Sequence, residues 1–280
     1  MLTPDLAPHI RLNVTAALSE DIRDGDLTAR LIPAGQTATA RIISRQQAVL
    51  CGTLWFDECF HRLDPACKVL WSAREGELIR PDQQLCEVKG NARTMLTAER
   101  SALNFLQTLS GTATRVRGYV DAVAGIDVKI MDTRKTLPGM RIAQKYAVQV
   151  GGGHNQRIGL FDGVLIKENH IAAAGGIRAV LEQASRITPS GVPIQIEVEN
   201  LAQLDEALAA GARLILLDNF SLPDMRAGVT QAAKRAELEA SGNIDLANVR
   251  SVAETGVDRI SIGALTKDVT AVDLSMRFMQ

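Results

Sequence analysis

Cations and glycines crowd the stretch from Met131 to His170, MDTRKTLPGMRIAQKYAVQVGGGHNQRIGLFDGVLIKENH. Arg134, Lys135, Arg157 and Lys167 each stand beside a turn-forming or strand-ending signal, where side chains converge on a ligand and not on a core. A ligand served by such a group carries several negative charges.

The local motifs sharpen that chemistry. DTRKT, residues 132 to 136, sets adjacent cations just past a strand. There an arginine fork takes a carboxylate bidentately and a lysine acts as a point charge. GGGHNQRIGL, residues 151 to 160, combines three glycines with His154 and Arg157. Glycine permits positive φ and close approach of the backbone to a ligand, so this segment reads as an anion site. EVEN and LLDN each close an apolar run with carboxylates, Glu199 and Asp218, and Glu197 shares the parity of Glu199. Carboxylates among so many cations either balance them structurally or hold Mg²⁺ and sugar hydroxyls. SGN (Ser241, Gly242, Asn243) and SIGAL (with Gly263 and Ala264) end the last two runs with small residues whose N–H groups can approach phosphate oxygens. Two phosphate grips and a pair of acids imply a sugar phosphate with a second phosphorylated arm. His9 and His61 attract no role, and His170 reads as a structural histidine at a strand end.

Parallel β/α units must position these groups. Six apolar, β-branched runs, DVKIMDT, GVLIKEN, PIQIEVEN, RLILLDN, AELEASGN and DRISIGA, recur along the later two thirds of the chain. Amphipathic stretches lie between them: GIRAVLEQASRI, LAQLDEALAAG, LPDMRAGVTQAAKRA and DLANVRSVAETG. With no GxGxxG after a first strand, a barrel is favoured over a dinucleotide-binding open sheet, and barrel chemistry gathers at the carboxyl ends of strands. The first 110 residues read differently, as a long N-terminal helix, a strand in TATARIISRQQAVL, a helix near TLWFDECFHRL and a turn-rich β segment to Lys89. A carrier-lysine role for Lys89 lacks a following hairpin partner. TMLTAERSALNFLQTLSG is a strong helix with Met95, Leu96, Leu103, Leu106 and Leu109 on its apolar side and Gly111 as its stop. Arg100, Asn104 and Gln107 share the other face, either solvated or reaching a neighbouring subunit.

Composition removes other classes. The chain has 280 residues, 46% of them apolar, and 31 basic against 32 acidic residues give a formal net charge of −1. No global field then recruits nucleic acid or an anionic membrane, so any cationic site is local. Cys51, Cys59, Cys67 and Cys86 form no CxxC pair and read as reduced, buried thiols. Neither a signal peptide nor a membrane-length apolar run occurs, which leads to the expectation of a cytoplasmic protein.

The ordered motifs TAERSALNFLQ, DTRKTLPGMR, GGGHNQRIGL, LIKENHI, EVEN, LLDNF, SGN and SIGALT resemble the quinolinate phosphoribosyltransferase family from about residue 20 to the C-terminus. The resemblance implies an α/β fold: an incomplete α/β barrel of the type II phosphoribosyltransferases with an N-terminal α/β sandwich. Residues 1–111 would form the sandwich and 112–280 the barrel, with a C-terminal helix packing back on the first domain. It further implies a homodimer, or a higher oligomer built from it, with a shared active site. Arg100 would come from the partner subunit. Arg134, Lys135, His154, Arg157 and Lys167 would line the substrate and diphosphate pocket. Glu199 and Asp218 would bind ribose or Mg²⁺. Ser241, Gly242, Asn243, Gly263 and Ala264 would hold the 5-phosphate. Lys135, Lys167, Glu199 and Asp218 would be the catalytic groups, with no organic cofactor. Many members carry His directly before the arginine of the glycine-rich motif, whereas this chain has Gln156 there and a histidine at His154. The implied reaction joins quinolinate to phosphoribosyl pyrophosphate, giving nicotinate mononucleotide, pyrophosphate and CO₂ in NAD biosynthesis. The alternatives are a related transferase acting on nicotinate without decarboxylation or on a compound tied to molybdate transport, and a non-catalytic phosphate-binding barrel. Two or three arginines exceed what one carboxylate needs, and the full set of acids and lysines suits catalysis.

Overall fold

The computed structural model describes residues 5–279. In chain order its elements are α1 (Leu6–Ile22), β1 (Thr37–Ser44), β2 (Ala48–Val49), α2 (Thr53–Leu63), β3 (Lys68–Trp71), β4 (Leu78–Ile79), β5 (Gln84–Asn91), α3 (Ala92–Ala122), β6 (Lys129–Met131) and α4 (Arg141–Val150). There follow β7 (Val164–Ile166), α5 (Glu168–Ala174), α6 (Ile177–Ile187), β8 (Ile194–Val198), α7 (Leu201–Ala209), β9 (Leu214–Asp218), α8 (Leu222–Ala232), β10 (Glu237–Ser241), α9 (Val249–Ala253), β11 (Arg259–Ser261), α10 (Ala264–Lys267) and β12 (Leu274–Phe278). They divide into two compact units.

One unit gathers the chain up to Arg117 with Thr136–Gly152 and the segment from Thr266 onward. Its antiparallel sheet has the order β12-β1-β5-β3. Alternation along β1 and β5 buries Ala40, Ile42, Cys86 and Val88, in whose core cluster pack Ile10, Val14 and Leu18 of α1 and Trp55, Phe56 and Phe60 of α2. The spacing of Ile10, Val14 and Leu18 is the four-residue repeat of one helix face. All four cysteines are buried and unbridged in this core; burial pushes the Cys59 thiol up to about 12 and that of Cys67 up to about 11, so both stay protonated. Lys89 lies within β5, its Nζ 3.0 Å from Glu87, and not at a hairpin tip.

Three expectations for this unit need correction. Gly111 does not stop its helix, because α3 runs unbroken to Ala122. A Cβ at Gly111 would run into the Thr270 carbonyl, so the glycine serves close passage of the C-terminal segment. The expected C-terminal helix is the strand β12, paired antiparallel with β1 from Ala40↔Phe278 to Ser44↔Leu274. Gln107 is not on a solvated face: its carbonyl accepts from Val272 N at 3.1 Å and its Nε2 donates to Leu274 O at 3.3 Å.

The other unit, Gly118–Lys135 with Gly153–Leu265, is a parallel sheet in the order β6-β11-β10-β9-β8-β7. Each strand from β7 to β11 lies beside the next, and β6 returns beside β11. This is barrel winding with six strands, left open between β6 and β7. The expected incomplete barrel is present. Along the free edge of β6 runs the segment around His154, whose N donates to Ile130 O at 2.8 Å and whose carbonyl accepts from Asp132 N at 3.0 Å. In α6, Ile177, Val180, Leu181 and Ala184 are buried at helical spacing. Asn200 and Ser221 cap α7 and α8 through their side chains. The helix expected from residue 245 begins only at Val249, because Asp245 Oδ1 accepts from Ala247 N and Asn248 N and holds a turn there. Among the described residues no helix is long and apolar enough to cross a membrane.

Candidate active site

Parallel strands carry their carboxyl ends to one rim, and the segments that follow deliver most of the expected side chains there. Residues 132–135 follow β6, Lys167 follows β7, Glu199 follows β8, Asp218 closes β9, Ser241 closes β10, and Gly263 lies just beyond β11.

The arginines stand on two loops, Arg134 after β6 and Arg157 before β7. The Asp162 carboxylate accepts from Ile158 N and Gly159 N, both at 2.8 Å, and so folds residues 157 to 163 into a tight loop. Arg157 Nη1 donates to Gly163 O at 3.0 Å within that loop. Desolvation, then the nearby Arg134 guanidinium, pull the Arg157 pKa down while Asp162 opposes them. Two arginines from separate loops therefore lie within electrostatic reach of each other. An anion with two carboxylates suits that pair.

Acids occupy the side around β7 and β8. Lys167 Nζ lies 3.5 Å from Glu197 Oε2. Glu197 is held above the usual carboxylate range by desolvation, with Asp218 and Glu168 adding to the rise and Lys167 opposing it. Glu168, Glu197, Glu199 and Gln203 line a pocket of about 240 Å³, and Gln203 Oε1 accepts from Glu199 N at 2.8 Å. Among the described residues no group of three His, Cys, Asp or Glu side chains forms a ready-made metal cage. Mg²⁺ commonly keeps several waters and takes only one or two carboxylates beside substrate phosphates, so this crowd of like charges fits it.

The loops after β9 and β10 interlock. Asn219 (φ 54°), Gly242 (φ 101°) and Asn243 (φ 50°) all adopt left-handed backbone. Asn219 N donates to Ser241 O at 2.9 Å, and Asn219 Nδ2 to Asp218 Oδ2 at 2.9 Å. A Cβ at Gly242 would collide with the Asn219 side chain. Across the rim, the Lys135 side chain lies over Gly263, where an added Cβ would sit 3.0 Å from Lys135 Cδ.

Arg100 belongs to the other unit. It is exposed on α3 and, with Asn104, borders a cleft of about 430 Å³ whose walls include Asn13, Glu20, Phe105 and Met140.

The chain matches the family described as quinolinate phosphoribosyl transferase over both its parts, the N-terminal domain across residues 26–110 and the C-terminal domain across 112–277. It belongs to the quinolinate phosphoribosyl transferase family. Among its relatives, the nicotinate-nucleotide pyrophosphorylase [carboxylating] of Mycobacterium leprae is 42% identical over 95% of this chain and 96% of that protein. A probable nicotinate-nucleotide pyrophosphorylase [carboxylating] of Bacillus subtilis is 39% identical over 92% of this chain and 89% of that one. The solved nicotinate-nucleotide pyrophosphorylase of Francisella tularensis superposes with a TM-score of 0.96 at 43% identity, covering 99% of this chain and 98% of its own.

Within this family member, His154 bridges to Met131 at the end of β6. Its side chain is exposed, and its charged neighbours are Lys129 and Arg259, which open β6 and β11 at the ends opposite the rim. Desolvation and those two cations lower its pKa. His170 acts locally: its Nδ1 accepts from Lys167 N at 3.0 Å and caps α5. The sequence reading singled out none of Glu168, Gln203 and Asp162. Parity with Glu199 marks Glu197, but nothing in the sequence sets Asp162 apart from other loop acids.

Proposed function

We propose that this chain transfers the phosphoribosyl group of phosphoribosyl pyrophosphate to quinolinate with loss of CO₂, giving nicotinate mononucleotide and pyrophosphate. The observation that carries the choice of base is that Arg134 and Arg157, on separate loops, lie within electrostatic reach of each other, a clamp for two carboxylates where nicotinate offers one. Relatives named for the carboxylating nicotinate-nucleotide pyrophosphorylase, matched over nearly their whole length, support the same reaction.

Each group has a task. Arg134 and Arg157 hold the ring carboxylates and aim the pyridine nitrogen at ribose C1. The nitrogen lone pair forms the N–C1 bond as the C1–O bond to pyrophosphate breaks, and Lys135 and Lys167 take up the charge of the leaving group. The ring nitrogen is then cationic. That charge stabilises the electron pair left at C2 when the adjacent carboxylate departs as CO₂, and solvent supplies the proton. Ser241, Gly242, Asn243, Gly263 and Ala264 offer backbone N–H groups and small side chains to the 5-phosphate. Glu199 and Asp218, with Glu197 beside them, would hold Mg²⁺ and the ribose hydroxyls. When bound, the metal neutralises pyrophosphate oxygens. Arg100 reaches the site from a second subunit of a homodimer, completing the clamp.

Substrate discrimination tests the reading. With phosphoribosyl pyrophosphate and Mg²⁺, quinolinate is expected to yield nicotinate mononucleotide and nicotinate is not. Turnover of nicotinate in place of quinolinate would overturn it.

A further inference from the structure

Beneath the rim, Glu239 in the middle of β10 has no exposed surface. Each of its carboxyl oxygens meets its own amide donor. Gln195 Nε2, from β8, donates to Oε2 at 3.0 Å, and Gln156 Nε2 donates to Oε1. The Ser261 hydroxyl at the end of β11 lies beside this carboxyl group and donates to Ala240 O at 3.5 Å. One buried acid thus joins β8, β10 and the segment on the free edge of β6. Burial raises its pKa, opposed by Gln195, Ser261, Arg259 and Gln156. A buried acid is costly unless its partners are complete, and here both oxygens are satisfied.

Gln156 is fastened at its other end as well. Its backbone N donates to Asp132 Oδ1 at 2.7 Å, and Asp132 is fully buried two residues before Arg134. The next residue along is Arg157. Gln156 therefore ties both arginine-bearing segments to the barrel interior.

We infer that Glu239 is a positioning residue: through Gln156 it fixes Arg157, and so the carboxylate end of the site, while touching no substrate itself. This rests on the phosphoribosyl transfer proposed above. Glu239→Gln would set an amide NH₂ against one of the two amide donors and force Gln156 or Gln195 to turn. The exchanged pair, Gln156→Glu with Glu239→Gln, restores both amide–carboxyl bonds: Gln195 donates to the new amide oxygen, and the new amide nitrogen donates to the new carboxylate.

Steady-state kinetics of the full chain, with Tm recorded alongside, test this. Glu239→Gln is expected to raise KM for quinolinate by about tenfold or more and KM for phosphoribosyl pyrophosphate by less than about twofold, and the exchanged pair to recover most of the loss. Unchanged quinolinate KM would overturn the inference. So would an equal loss in both KM values that tracks Tm and persists in the exchanged pair. If Glu239→Gln does not fold, Gln156→Ala leaves Glu239 bonded to Gln195 and carries the same kinetic expectation, with the same contrary result. Turnover by the unaltered protein is measured first. Its absence would defeat the reaction and this role together, whereas turnover with unaffected variants would defeat this role alone.

Discussion

Arg157 shows most plainly how single side chains define this site. Its guanidinium is desolvated, faces the field of Arg134 and is steadied by Asp162 and the Gly163 carbonyl, so the pair is arranged for an anion before one arrives. Arg134→Ala should remove a charge-assisted bond of roughly 1.5–3 kcal/mol, weakening quinolinate binding by about 10- to 100-fold in calorimetric titration; wild-type affinity would contradict the clamp. Asp57 offers a separate test of residue-level electrostatics. Burial pushes its carboxyl up to about 6, against 3.8 for the ordinary group, although Trp71 Nε1 donates to Oδ1 at 2.9 Å. Between about pH 4 and 6 the folded chain then binds more protons than the unfolded one, so this group stabilises progressively as pH falls through 6 and costs stability above it. Asp57→Asn should add about 1–2 kcal/mol near pH 7.5 and flatten the curve between pH 4 and 6, read by urea titration across pH. The cations were legible in the sequence because charge just after an apolar run is a local signal. The bond between Gln156 and Glu239 was not, since 83 residues separate its ends and only the closing of the sheet brings them together.

At the scale of elements, alternation of apolar runs with amphipathic stretches exposed all six parallel strands, and the strand ends carried the rim with them. The misreadings have identifiable causes. Glycine marks both a helix end and a point of close packing, so Gly111 read as a stop although its partner, the Thr270 carbonyl, lies far along the chain. The short run LSMRF carries little periodicity, and its pairing with β1 depends on residues more than two hundred positions away. Gly111→Ala should therefore cost about 1–3 kcal/mol in urea unfolding through overpacking, whereas a helix-stop role would let alanine stabilise α3. Gly242→Ala combines strained φ with a collision at Asn219. Displacement of the loops bearing Asp218 and Asn243 should raise KM for phosphoribosyl pyrophosphate more than KM for quinolinate, and the reverse order would remove these loops from the phosphate end.

For the molecule as a whole, a six-stranded barrel left open between β6 and β7 brings Lys135, Lys167, Glu199, Asp218 and Ser241 to the carboxyl ends of its strands, while Arg100 stands on α3 in the other unit. Under the proposed dimer, that arginine serves a neighbouring subunit. Mixing two inactive variants, Arg100→Ala and Lys135→Ala, should regenerate up to about a quarter of wild-type activity, since half of the reassorted dimers hold one intact site; no recovery after verified subunit exchange would place Arg100 in its own subunit's site. The reaction itself has a sharper signature. With quinolinate labelled at the 2-carboxyl, and with phosphoribosyl pyrophosphate and Mg²⁺ present, the protein is expected to release one labelled CO₂ for each nicotinate mononucleotide formed and none when phosphoribosyl pyrophosphate is omitted. Nucleotide that retains the label, or CO₂ released without nucleotide, would contradict the coupled transfer and decarboxylation.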